Sequence, residues 1–251
     1  MCKYLVVILF FLAMWCKPAF SQGNYNIKDS STSGVVFNMS YAAQWPSGDI
    51  AKVFGFNSNV QLGVYYKTKT NWLLGIQGAF IFGNILRATG ILDSIATSDG
   101  NLIGSDGTPP EITYAERGWD LQLSVGKIIS FKKPNPNSGI VLMLSGGYIR
   151  HHILIQSTNT PQIEGGYLQG YDRLTAGFCV TEFLGYQYMG NHRLLNFFAG
   201  VELTQGFTKS LVYDFDLRSM NTSLQHEYLN GFRIGWILPI YKQQSNQFYT
   251  Y

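Results

Sequence analysis

Eight stretches of the chain alternate apolar residues with small or polar ones at a period of two, the pattern of strands whose two faces meet different surroundings. They predict strands at 34–45, 59–67, 72–83, 117–129, 139–155, 173–189, 194–207 and 226–241. In the first, Phe37, Met39, Tyr41 and Ala43 share one face, with Asn38, Ser40, Ala42 and Gln44 opposite. In the fourth, Trp119, Leu121, Leu123 and Val125 oppose Asp120, Gln122, Ser124 and Gly126; in the last, Phe232, Ile234, Trp236, Leu238 and Ile240 oppose Gly231, Arg233 and Gly235. The connections alternate too: those near 69–71, 132–138 and 190–193 are short and those between them long, the longest being 84–116. Minimal periplasmic turns and larger extracellular loops give an outer-membrane barrel this asymmetry. The expected fold is therefore all-β, an eight-stranded antiparallel transmembrane β-barrel over 34–241.

Glycine recurs on the expected inner face, at Gly63, Gly75, Gly126, Gly177, Gly185, Gly200, Gly231 and Gly235. An eight-stranded barrel has an interior just wide enough for side chains, so small inward residues relieve crowding and a porin-like water channel is disfavoured. Aromatics gather near strand ends, with Tyr66, Trp72, Tyr186, Tyr188 and Trp236 toward the short turns and Tyr41, Trp45, Trp119, Tyr148 and Phe207 toward the long loops. These match the two interfacial girdles of a membrane barrel. A soluble barrel would point its bulky apolar residues inward, which would leave the glycine-rich polar faces outside. Only the sixth strand resists: Glu182 shares its face with Ala176, Phe178, Val180, Leu184, Tyr186 and Tyr188. A carboxylate facing lipid at mid-depth is unfavourable, so either a bulge near 181–183 or a protein partner covering that face is expected.

Composition agrees with a membrane barrel: charged residues make up 13%, aromatics 15%, and glycine numbers 27. Residues 1–21 have the form of a secretory signal, with Lys3, an apolar run over 4–15 and small residues around Ala19-Phe20-Ser21. That run is shorter than the ~20 residues that span a bilayer, and bulky Met14-Trp15 before Cys16 disfavours lipidation. Loss of 1–21 removes Lys3 and Lys17, taking the net charge from +3 to +1, a balance that argues against nucleic-acid binding. It also removes Cys2 and Cys16, so Cys179 has no partner for an internal disulfide.

The segments Gly48-Asp49-Ile50-Ala51-Lys52-Val53-Phe54-Gly55, Tyr66-Lys67-Thr68-Lys69-Thr70-Asn71-Trp72, Gly170-Tyr171-Asp172-Arg173-Leu174 and Gly185-Tyr186-Gln187-Tyr188 resemble a family of Bacteroidota outer-membrane β-barrel proteins. The ending Gly235-Trp236-Ile237-Leu238-Pro239-Ile240-Tyr241-Lys242, followed by Phe248-Tyr249-Thr250-Tyr251, is similar to the same family. The resemblance covers essentially the whole mature chain. It implies a Gram-negative outer membrane and a barrel related in architecture to the OmpA-like and PorT-like groups. It carries over no catalytic motif, and it implies an accessory place in envelope machines such as secretion or barrel-assembly complexes.

For chemistry, the expected lumen holds Asp120, Glu202 and Arg233. Buried charges persist when paired and hydrogen-bonded, so an internal network helped by Gln61, Gln77, Gln122, Asn196 and Thr204 is the first reading, with a proton relay or a catalytic carboxylate pair the alternative. His151, His152 and His226 fall near the rim beside Ser157, Glu164 and Asp172, a set from which a hydrolytic triad would be built. No nucleophile elbow accompanies them, and histidines that are solvated in the loops or join hydrogen-bond networks are the simpler expectation. No Cys/His cluster points to a metal, and Asp93, Asp99 and Asp106 lack Ca²⁺-loop spacing, so neither cofactor nor metal is expected.

The loops complete the picture. Ile50, Val53 and Phe54 lie on one side of a short stretch in the first. The second, with Ile85, Leu86, Ile91, Leu92, Ile95, Leu102 and Ile103, is too apolar for a freely solvated loop and is expected to cap the barrel or dock on a partner. Candidate partner-facing residues are therefore Glu182, Ile91, Leu92 and Ile95. Segments 22–33 and 242–251 are expected to be periplasmic, with no second domain. The expected protein is a non-enzymatic barrel in outer-membrane lipid, a structural or accessory subunit with an envelope protein as partner; a rim-active lipid-modifying enzyme and a surface adhesin are the alternatives.

Overall fold

The computed structural model describes residues 31–240, apart from 99, 132–133, 159, 161–162, 164, 191–195, 216–217 and 220–221. The signal segment, most of 22–33 and the tail beyond 240 lie outside the described residues. Eight strands run β1 Gly34–Gly48, β2 Asn57–Lys67, β3 Trp72–Gly83, β4 Ile112–Ile129, β5 Gly139–Ser157, β6 Thr175–Met189, β7 Asn196–Ser210 and β8 Gln225–Ile240. Each pairs antiparallel with the next, and β8 returns to β1 to close the barrel.

The period-two alternation appears as an inversion of the usual protein surface. Met39, Leu62, Leu123, Phe232 and Ile234 point outward, Leu123 with 70% of its surface exposed, while Gln44, Gln61, Gln77 and Gln122 point inward and are buried. Tyr66, Trp72, Tyr186 and Trp236 ring the short-turn end, and Tyr41, Trp45, Trp119 and Tyr148 the long-loop end. An apolar band between aromatic girdles is the exterior of a barrel that crosses a bilayer.

The interior is filled in layers, which alternation alone does not show. Next to the short turns, Val36, Tyr65, Leu73, Ile128, Val141, Phe183, Phe198 and Ile237 form an apolar floor. Phe183 and Phe198 meet edge to face at 5.6 Å. Glycine here makes room for rings: a Cβ on Gly235 would lie 2.4 Å from the Phe198 ring, and one on Gly63 would lie 2.4 Å from that of Tyr65. The space left at this level is about 20 Å³, on the order of one water. A second apolar cluster joins Ile81, Ile149, Ile153, Cys179 and Leu229 on the strands to Ile50, Phe54 and Leu92 from the loops. Polar side chains occupy the layers between.

β4 begins five residues before its expected start, and β4 and β5 pair from Ile129↔Ile140 to Ile112↔Ser157. Above the girdle the outward face no longer meets lipid chains, so the alternation fades while the backbone ladder continues. The β2–β3 connection is tight as expected: the Asn71 N–H donates to the Thr68 carbonyl (3.0 Å). Asn71 takes a left-handed φ of 64°, which asparagine tolerates, and its side chain accepts a bond from Ser31 Oγ (2.7 Å) and donates one to the Pro136 carbonyl (2.9 Å). Lys67 Nζ crosses the same end to the Thr32 carbonyl (2.8 Å) and Asn137 Oδ1 (2.9 Å).

Candidate functional site

At mid-barrel, Arg233 from β8 and Glu202 from β7 form a buried ion pair. Gln44 Nε2 donates to the other Glu202 oxygen (3.2 Å), and the Arg233 guanidinium lies 5.6 Å from the Phe183 ring centre. Asp120 faces the same lumen but, among the described residues, is in no ion pair within 4 Å; its carboxylate accepts from Gln122 Nε2 (2.9 Å). The remaining lumen groups bond chiefly to one another: Tyr65 OH to Gln77 Oε1 (2.6 Å), Ser40 Oγ to Gln61 Oε1 (3.3 Å), and Thr181 with Thr204 (2.8 Å). Asn196 instead accepts the Gly190 N–H at the short-turn end (2.8 Å).

Toward the long loops lies a second polar cluster. His151 is not a solvated rim residue: the inward row of β5, Ser145, Gly147, Ile149, His151 and Ile153, carries it into the mouth, where 3% of its surface is exposed. Its Nε2 lies 2.9 Å from Glu227 Oε2, and Thr208 Oγ1 donates to Glu227 Oε1 (2.7 Å). Thr175 Oγ1 sits 3.1–3.2 Å from the two ring nitrogens. Also in the mouth, Asn57 Nδ2 donates to both Glu116 oxygens (3.1 and 2.9 Å). Sequence reasoning missed Glu116, Glu227 and Thr208, yet counting by twos from Asp120, Arg233 and Thr204 places all three inward.

The first loop closes over this cluster. A short 3₁₀ turn, Ile50–Lys52, precedes Phe54, whose ring meets that of His151 edge to face at 5.6 Å. The turn is tied to β8, because Asp49 accepts from the His226 backbone N–H (2.9 Å) and from Lys52 Nζ (2.7 Å). Those two donors hold the Asp49 carboxyl below the usual carboxylate range. Beside the turn a cavity of about 370 Å³ reaches Phe54, His151, Thr175 and Glu227, with Arg173 and Asp214 on its wall. Arg173 and Asp214 pair at 3.1 Å. His152 and His226 point outward, and His226 packs on Phe207 at 5.6 Å.

The second loop folds onto the first. Gly55 N–H donates to the Ile85 carbonyl (2.7 Å) and Arg87 N–H to the Val53 carbonyl (2.9 Å). Leu92 is 2% exposed within the upper cluster, and Ile91 and Ile95 pack against it half-buried. The docking alternative thus has Ile85 and Ile103 as its exposed apolar side chains, and not Leu92. Asp106 caps a turn by accepting the Thr108 N–H (3.0 Å); Asp99 and Glu164 lie outside the described residues. Limited digestion with proteinase K in micelles is expected to cut first within 105–109, which is exposed, and to spare 85–95; early cleavage within 85–95 would contradict the docked cap.

Glu182 stands on the outer wall. The ladders run unbroken past it, with Thr181↔Ser145, Glu182↔Leu144 and Phe183↔Met143 on one side and Glu182↔Leu203 on the other. The expected bulge is therefore absent, because regular pairing on both sides leaves no extra residue to insert. Glu182 is exposed between Leu144 and Leu203, four residues from Phe178 and four from Tyr186. With strand rise and tilt taken into account that is about 10 Å from either girdle, close to the bilayer midplane. A surface groove of about 560 Å³ runs from Glu182 past Leu142 and Leu203 to Trp72 and Lys127. Among the described residues no group of three or more His, Cys, Asp and Glu side chains is placed to hold a metal.

Neither a protein-family model nor a curated relative matches the sequence. Solved structures that resemble the barrel include Neisserial surface protein A, 9% identical, with 83% of this chain and 98% of that one covered and a TM-score of 0.47. Ail, the attachment invasion locus protein of Yersinia pestis, is 11% identical over 82% and 99% of the two chains, with a TM-score of 0.42. The outer membrane protein OprG from Pseudomonas aeruginosa is 10% identical over 85% and 99%, with a TM-score of 0.38. Likeness at this level carries no functional argument, and the barrel rests on the chain's own strand pairing.

Proposed function

We propose that the chain is an integral outer-membrane barrel, its long loops outside and its short turns periplasmic, that acts without enzymatic chemistry as an accessory subunit of a cell-envelope complex. The observation that carries this reading is Glu182, an outward carboxylate near the midplane in an unbroken ladder. An isolated barrel would gain stability from an apolar residue there. A neighbouring protein that offers a hydrogen-bond donor gives the carboxylate a use. The filled lumen supports the reading from another side, since a barrel floored by Phe183, Phe198 and Tyr65 is poorly suited to transport. The Bacteroidota resemblance supports it as well.

Tagged protein recovered from mildly solubilised outer membranes of its source organism is expected to bring down an envelope protein in fixed stoichiometry. Glu182→Leu is expected to lose that protein while making the isolated barrel more stable in vesicles by about 1–2 kcal/mol. Recovery of the barrel alone across several detergents, or an unchanged complex with Glu182→Leu, would overturn the reading.

One observation favours a second reading, a hydrolytic site in the mouth: Glu227, His151 and Thr175 are in sequential contact and the cavity of about 370 Å³ reaches all three. Turnover of a lipid ester by the refolded barrel that disappears with His151→Gln, at unchanged stability, would establish it.

A further inference from the structure

The long-loop end of the barrel is electrostatically lopsided on its outer wall. Two residues beyond Trp119 and Tyr148 along their strands, at the next outward position, the outer face of β4 to β7 turns basic, with Arg117, Arg150 and Lys209. The registers set them along one row without direct opposition: Arg150 is opposite Trp119 on one neighbour and Ala176 on the other, Ala176 is opposite Lys209, and Arg117 is opposite His152, diagonal to Arg150. At the same level β1 to β3 present Trp45, Ser47 and Phe82 instead. The basic row therefore occupies one side only.

Among the described residues none of the three cations forms an ion pair within 4 Å. Arg117 Nη1 donates to the Glu116 backbone carbonyl (2.6 Å). The nearby carboxylates are occupied elsewhere, since Glu116 and Glu227 point into the lumen and Asp214 pairs with Arg173. The Arg150 charge reaches the Asp172 carboxyl, whose Oδ1 accepts the Leu174 N–H (3.2 Å). A one-sided cationic row directly above a tryptophan–tyrosine contact of 5.9 Å lies at headgroup depth, with lipid chains beneath it. From β4 to β7 it spans three strand spacings, about 14 Å, wider than one phosphate.

We propose that Arg117, Arg150 and Lys209 form a binding site for a lipid whose headgroup carries more than one phosphate, in the leaflet at the long-loop end. The guanidinium groups bond to phosphate oxygens, Lys209 supplies a point charge, and the acyl chains run down the apolar wall past Trp119, Tyr148 and Phe178. The choice of the outer leaflet rests on the orientation proposed above.

The test uses the mature chain in phosphatidylcholine nanodiscs that contain either diphosphoryl lipid A or its enzymatically dephosphorylated form, with retained lipid counted by native mass spectrometry. The wild type is expected to retain the phosphorylated form roughly tenfold better, and Arg117→Gln/Arg150→Gln/Lys209→Gln to lose that preference while still migrating as a folded barrel. Single Arg150→Gln and Lys209→Gln proteins, each expected to lose part of the preference, decide the matter if the triple variant does not insert. Lys52→Gln/Arg87→Gln, in the loops, is expected to change nothing. Displacement of the lipid by millimolar inorganic phosphate would reassign the site to free anions. Equal retention of the two lipids, or an unchanged preference in the triple variant, would overturn the proposal. Labelling of a Ser105→Cys protein by an impermeant thiol reagent on intact cells reads the orientation separately; label only after permeabilisation would overturn the leaflet and leave the in vitro result standing.

Discussion

Arg233→Met is expected to lower the unfolding free energy of the barrel by about 3–5 kcal/mol, because it strands the Glu202 carboxylate in a wall with no other cation bonded to it. The loss falls on packing as well as charge, since the guanidinium lies against the Phe183 ring. Urea unfolding of protein refolded into vesicles, followed by tryptophan fluorescence, measures it. Glu202→Leu combined with Arg233→Met is expected to recover most of the loss, as removing a whole buried pair is often neutral. A double variant as unstable as the single would mean that the pair holds more than its own charges, and an Arg233→Met protein of wild-type stability would exclude the pairing.

Phe198→Ala is expected to cost a similar amount, about 3–5 kcal/mol. Phe198 fills the floor against Phe183 and over Gly235, and the space now left beside it is about 20 Å³. Removing the ring opens a cavity that the surrounding strands cannot close, since their spacing is fixed by ladders on both sides. The same unfolding measurement checks it. A loss below about 1 kcal/mol would show that the floor is loosely packed.

The strands were legible because lipid and lumen impose opposite demands on successive residues. Phe37, Met39 and Tyr41 against Asn38, Ser40 and Ala42 is a pattern with one physical solution. Strand ends above the girdle were not, because at Ile112 to Glu116 neither face meets lipid chains and the alternation loses its cause. The lumen was legible in parity but not in depth. Asp120, Glu202 and Arg233 do share the inner face, yet which of them meet depends on strand register and tilt, and these join Arg233 to Glu202 and leave Asp120 with Gln122. Of the two settings expected for the rim histidines, solvent or a hydrogen-bond network, His151 takes the second, and the inward parity it shares with Ile149 and Ile153 is what places it there. The apolar second loop was legible as a segment that must be covered. That Leu92 descends into the barrel's own mouth follows from the backbone bonds between 53–55 and 85–87, which no local pattern announces.

Ion conductance across planar bilayers containing the refolded wild-type protein tests most directly whether the barrel is a filled, membrane-spanning cylinder. With the floor and mouth packed as described, the protein is expected to insert, to show heat-modifiable migration after recovery, and to give no sustained conductance. A steady ohmic current from the inserted wild type would contradict the sealed interior and return the chain to the class of channels.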